Sequence, residues 1–171
     1  MSPRHWLIKF APFRTSWAEI VARGSFTLRG IRSPESRNHL SAMGVGDHVL
    51  FYHSQQERAV VGLLEVSREA YPDPTSADPQ WLTCDFFPLR SLPSTVSLEA
   101  IKATPALSNL PLVRRPRLSV MPLTDDEFEI IQALAEDSNL IHKGNARRKH
   151  RIRHIFCHFS VFHAHKINSF R

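Results

Sequence analysis

The sequence predicts an α+β fold: a small mixed β-sheet curled into a pseudo-barrel of about five strands, with short helices plugging its ends. Three observations predict it. The chain has 171 residues, 42% of them apolar, which suits one domain with a real core. Short apolar or alternating runs bounded by proline and glycine recur along it, with no strand–helix rhythm regular enough for a doubly wound sheet. The helical stretches between them are short, and most carry a start signal.

The elements follow in order. His5–Phe10 is a short apolar run closed by Pro12, a strand. Ser16-Trp17-Ala18-Glu19 is a capping box, opening a helix that stops at Gly24. Ser33-Pro34 starts a second helix, with proline at its first position, ending at the Gly44/Gly46 turn. Asp47–Ser54 alternates, with Val49, Phe51 and His53 on one side and Leu50, Tyr52 and Ser54 on the other. Ala59–Val66 is almost continuously apolar and reads as a strand buried on both faces. Tyr71–Pro79 is punctuated by prolines and reads as a loop. Trp81–Leu89 is a strand, Ser97–Ala103 one or two helical turns, and Arg117–Met121 a short strand. Thr124-Asp-Asp-Glu127 is another capping box, opening a helix through Leu134.

Charge divides the chain. Residues 1–137 hold 14 Lys/Arg against all 16 Asp/Glu, while residues 138–171 hold 8 Lys/Arg, six of the ten histidines and no acid. The basic character therefore belongs to a 34-residue tail, not to the body. Two distant cysteines, Cys84 and Cys157, exclude a disulfide framework and a four-cysteine zinc site. No run approaches the ~20 apolar residues of a membrane span, and no apolar leader follows Met1, so the chain reads as soluble, reduced and cytoplasmic. Among catalytic signatures there is no Gly-x-Ser-x-Gly elbow, Walker loop or Gly-x-Gly-x-x-Gly.

Several segments, in order, resemble one family. They are Trp6-Leu-Ile-Lys9, Gly30-Ile-Arg32, Ser36-Arg-Asn38, Val45-Gly-Asp47, Phe51-Tyr-His-Ser54, Val61-Gly62, Glu69-Ala-Tyr-Pro-Asp-Pro-Thr75, and Arg117-Leu-Ser-Val-Met-Pro-Leu-Thr124. Together they resemble the EVE domain over roughly residues 5–135. The resemblance implies a PUA-like pseudo-barrel over residues 1–137. It implies a monomer that binds nucleic acid, DNA or RNA, and takes a nucleobase, expected to be a modified one, into an aromatic-lined pocket without cofactor or metal. At three positions this chain departs from the family's pattern: Ala11, Leu28 and Ser33 stand where a glutamate, a tryptophan and an asparagine are usual. The expectation is relaxed base recognition.

Reading a base takes a flat surface to stack on and a few fixed donors and acceptors. Trp6, Trp17, Tyr52, Tyr71 and Trp81 are the candidate flat surfaces. Trp6 and Trp81, placed in strands, are read as core, whereas for Trp17, at a helix start, core and surface stay open. His53 and Ser54 end a strand, where they can bond a base edge or a phosphate. Arg32, Arg37 and Asn38 offer a bidentate phosphate contact and a base-reading amide. Lys9 and Ser33 enter the site with the family motifs. Arg114-Arg115-Pro-Arg117 is the one dense basic run of the body, a candidate phosphate clamp, with Arg117 and Ser119 expected on the face opposite Leu118 and Val120.

Two further readings use other parts of the chain. One is an enzyme acting on nucleic acid with His53 as general base, which requires a second titratable partner beside it. The other is an interaction protein working through the tail, where Ile152, Ile155, Phe156 and Phe159 share one helical face opposite Arg147, His150, Arg151, His154 and His158. A stripe this narrow in so polar a segment is expected not to fold in isolation.

Overall fold

The computed structural model describes residues 3–143; the tail from residue 144, with the readings placed on it, lies outside them. Six strands form one sheet in the order β2-β5-β4-β3-β1-β6. They are β1 His5–Phe10, β2 Phe26–Thr27, β3 His48–His53, β4 Ala59–Pro72, β5 Leu82–Ser97 and β6 Val120–Leu123. Only β1 and β3 pair parallel, so the chain between them must cross over, and it does so through α1 Trp17–Arg23, β2 and α2 Pro34–Ala42. The other helices are α3 Leu98–Ala103, α4 Pro111–Arg114 and α5 Asp125–Lys143, with a 3-10 turn at Pro105–Leu107. The class is α+β, as the patterning indicates.

The sheet separates two cores. Alternation along β3 sends Val49 and Phe51 to one, where they meet Ile8, Ile20 of α1 and Leu40 of α2. Leu50 and Tyr52 go to the other, against Val60, Ile101 of α3 and Phe128 of α5. Burial on both faces explains why β3 and the first half of β4 carry so few charges. Asp47, buried just before β3, fastens this arrangement. It accepts hydrogen bonds from Trp6 Nε1 at 2.9 Å and from the Arg4 and Gly44 amides at 3.0 Å each. Burial pushes its carboxyl upward, and these donors outweigh that to hold it below its ordinary value.

Several boundaries differ from the sequence reading, each for a local reason. A sixth strand, β2, is only two residues long and gives no periodic signal. β5 runs on to Ser97 through Pro88 and Pro93. β2 pairs with β5 only at Asp85 and Phe86, so the later prolines face no ladder on that side and forfeit no bond. Tyr71 and Pro72 belong to β4, not to the loop, because they pair with Thr83 and Leu82. Register shifts between Val60 and Tyr71 kink the long β4–β5 ribbon. β6 begins at Val120, since Leu118 N–H closes a turn onto Arg115 O, which leaves Arg117 in that turn rather than on a strand face.

The expected helix starts are all present. Ser16 and Glu19 cap each other's backbone, Ser33 accepts the Ser36 amide, and Thr124 and Glu127 exchange the same pair of bonds. Such a cap is worth about 1 kcal/mol. Gly24 closes α1 with a left-handed φ of 70°.

Candidate nucleic-acid interface

The parallel pairing of β1 with β3 brings Lys9 and Phe10 beside Tyr52 and His53. The site is built outward from these strand ends. Lys9 donates its backbone N–H to Ser119 O at 2.8 Å, and its ammonium bonds Pro116 O. Burial lowers the Lys9 ammonium from its ordinary value. Ser119 N–H in turn reaches Ser36 Oγ at 3.4 Å, on the first turn of α2. The start of α2 is thereby fixed against the turn that precedes β6. Between them opens a cleft of about 430 Å³, lined by Ser33, Glu35 and residues 114–118.

Glu35 binds Arg115 by two parallel bonds across 80 residues of sequence. The guanidinium fork holds the Glu35 carboxyl below its ordinary value, and the carboxylate raises Arg115 in return. The consequence is geometric: a flat cation locked in one orientation at the rim. Arg114 and Arg117 are exposed beside it. The lining contains no aromatic ring, so the flat surface offered here is a guanidinium, whereas an aromatic lining is what the sequence suggests.

Trp17 and His53 form a second group. The Trp17 amide donates to His53 Nε2 at 3.1 Å, and His53 Nδ1 bonds the Glu57 carboxylate. Both ring nitrogens are engaged, and the imidazole is buried. The Trp17 ring lies over Gly62, where an added Cβ would come within 2.1 Å of it, and its Nε1 donates to Ser91 Oγ at 2.8 Å. Ser54 donates its amide to Phe10 O at 2.9 Å, beside this group.

A third group surrounds Trp81. Contrary to the core reading, this ring is only half-buried, with the guanidinium carbons of Arg32 and Arg37 each 5.9 Å from its centroid. Arg32 is anchored on buried Asp73 at 2.8 Å, and Arg37 bonds Gln80 at 3.3 Å. Asn38 is exposed and accepts from Arg37 at 3.1 Å. A single pocket joining Trp17, His53 and Asn38 is therefore not what the geometry assembles. Tyr52 is buried in the second core, on the face opposite His53, with no open ring face. Leu28 is fully buried in the first core and borders neither cleft nor rim.

Of the residues singled out from the sequence, Ser33, Arg115 and Arg117 line the cleft, while Lys9 and Ser119 brace the turn and helix that frame it. The candidate set leaves out Glu35, which lines the cleft, and Ser36, which is buried against Ser119. Ser36 stands inside a recognised motif; Glu35 is legible only through its partner 80 residues away. Cys84 is a fully buried thiol, pushed up to about 12 by burial and the nearby Asp85 and Glu69 charges. Among the described residues, no three His, Cys, Asp or Glu side chains are grouped to hold a metal, and no helix is long and apolar enough to cross a membrane.

Fold and cleft together define a class: a small α+β module with a cationic recess at the end of a mixed sheet. The EVE domain family model matches residues 4–134, and the chain belongs to that family. It is 33% identical over 168 residues to human thymocyte nuclear protein 1, covering 77% of this chain and 74% of that protein. Among solved structures, a protein from Agrobacterium tumefaciens is 36% identical with a TM-score of 0.76, covering 77% of this chain and 92% of its own. A crystal structure of human THYN1 protein in complex with DNA containing 5-methylcytosine is 29% identical with a TM-score of 0.71, covering 78% of this chain and 98% of that one.

Proposed function

We propose that this chain binds nucleic acid and receives one base, a methylated cytosine of DNA in the first instance, in the cleft between the start of α2 and the Arg114–Leu118 turn. The observation that carries this reading is the preset Glu35–Arg115 pair beside Lys9, in a fold shared with a human protein crystallised on 5-methylcytosine DNA. A guanidinium held flat by a carboxylate stacks on a base without paying to order itself. Ser33 supplies a neutral hydroxyl that can meet a base edge, and Arg114 and Arg117 are placed for flanking phosphates.

A reader needs no proton transfer, and the geometry around His53 agrees with that. The second titratable partner required by an enzyme is present in Glu57. However, the Trp17 amide occupies Nε2, the nitrogen that a general base paired in this way would use. The histidine orients the start of α1 instead of facing a substrate.

Titrating the full chain with two labelled duplexes, identical except for one 5-methylcytosine, tests the reading. The methylated duplex is expected to bind more tightly. Arg115→Ala is expected to weaken that binding about tenfold or more, the value of one stacked base. Equal affinity for the two duplexes, with no effect of Arg115→Ala, sinks it.

A further inference from the structure

Phe10 and Phe26 floor a second hollow of about 270 Å³ that no motif points to. Its walls carry three arginines, Arg14, Arg23 and Arg29, and no carboxylate. The Arg14 guanidinium is held 4.9 Å from the centroid of the Phe10 ring. It also lies against Gly30, where an added Cβ would come within 3.1 Å of its nitrogen and where φ is +82°. A Cβ at position 30 would press on it as well as strain the backbone. Among the described residues neither Arg14 nor Arg29 has a carboxylate within ion-pair distance. Arg23 meets only Glu19, at 3.6 Å on the exposed face of α1. The nearby acid, Asp85, is already engaged by Thr27 Oγ1 at 2.7 Å and Tyr71 OH at 2.9 Å.

Three exposed cations around one hollow, two of them without a carboxylate partner, make a local positive field complementary to a polyanion. In a body with fewer basic than acidic residues, the concentration is local. Position matters too. Arg29 lies four positions before Ser33 at the cleft, a reach of at most about 14 Å. Phosphates on one strand of a duplex recur about every 3.4 Å along its axis, so a strand leaving the cleft toward Arg29 would cover that reach in about four nucleotides.

We infer that the Arg14–Arg23–Arg29 hollow is a phosphate-binding site for the DNA strand that flanks the base held in the cleft. This rests on the function proposed above. The hollow contributes affinity without reading sequence or methylation, whereas the cleft contributes the preference.

The experiment compares the full chain with its Arg14→Gln/Arg29→Gln double variant on the same two duplexes, across a salt series. Both side chains are exposed, so thermal unfolding is expected to shift by only a few degrees, from the loss of Arg14 over Phe10. The double variant is expected to bind both duplexes more weakly by the same factor, to keep the methylation ratio, and to lower the log–log salt slope by about 1.8, the value of two phosphate contacts. Arg14→Lys/Arg29→Lys is expected to keep most of the slope. An unchanged slope in the Gln variant, with the parent binding DNA, overturns this inference and leaves the cleft reading standing. A changed methylation ratio overturns the division of labour and hence the inference. A parent that binds neither duplex removes the functional reading and this one with it.

Discussion

Replacing Asp73 with alanine is expected to destabilise the protein by about 2–4 kcal/mol. The carboxylate is buried and accepts from Gly30 N–H at 2.9 Å, Arg32 at 2.8 Å, Thr75 N–H at 2.9 Å and Thr75 Oγ1 at 2.7 Å. Alanine leaves two backbone donors and a guanidinium without their acceptor. Breaking a buried pair costs about 3–5 kcal/mol, reduced here because the Arg32 side chain is 38% exposed. The same residue sets an acid limit. Burial pushes its carboxyl upward, but the bonds from Arg32, Thr75 and Gly30 outweigh this and hold it well below the usual carboxylate range. Its contribution is therefore complete above the unfolded value of about 4 and is lost as the pH falls from there toward the depressed folded value. Urea unfolding of Asp73→Asn between about pH 7 and pH 2 should give a flatter acid dependence than the parent. Parallel curves would mean that Asp73 is not the group that titrates.

Gly62→Ala is expected to cost about 1–3 kcal/mol, the range for overpacking a filled site. The added methyl would overlap the Trp17 ring, and that ring is not a free end: Ser91 holds its Nε1, while its own backbone is tied to His53. The indole must leave the sheet, so Trp emission should shift to longer wavelength along with the drop in midpoint. In a Trp17→Ala background the same substitution should cost little, since its obstacle is gone. If the cost persists there, the clash lies elsewhere.

How legible these features are in the sequence depends on the range of the interaction. Caps at Ser16, Ser33 and Thr124 need only three residues of context, and all are where the sequence places them. Burial on both faces of the first half of β4 follows from its unbroken apolar run, whereas that of β3 does not, because its alternation reads as a single buried side. The length of β5 does not, because whether Pro88 and Pro93 end a strand depends on which neighbour lies beside them. The site is legible residue by residue and not as a group. Arg115 stands in a visible basic run, yet its lock is Glu35, brought to it by the docking of α2 beside β6. Tyr52 and Asn38 match family motifs, but strand alternation turns one inward and helix phase turns the other to solvent. A motif names residues that travel together; it does not say that they face the same way.

The prolines of β5 have an effect beyond this chain. An open strand edge offers its free amides to any passing strand, including one from another copy. Here one edge strand, β2, has two residues; the other, β6, carries Pro122; and the outer half of β5 carries Pro88 and Pro93. None of these gives an uninterrupted row of donors long enough to template a partner. Among the described residues the sheet is closed to growth by addition, so copies of this chain brought close together would not be joined edge to edge through their strands.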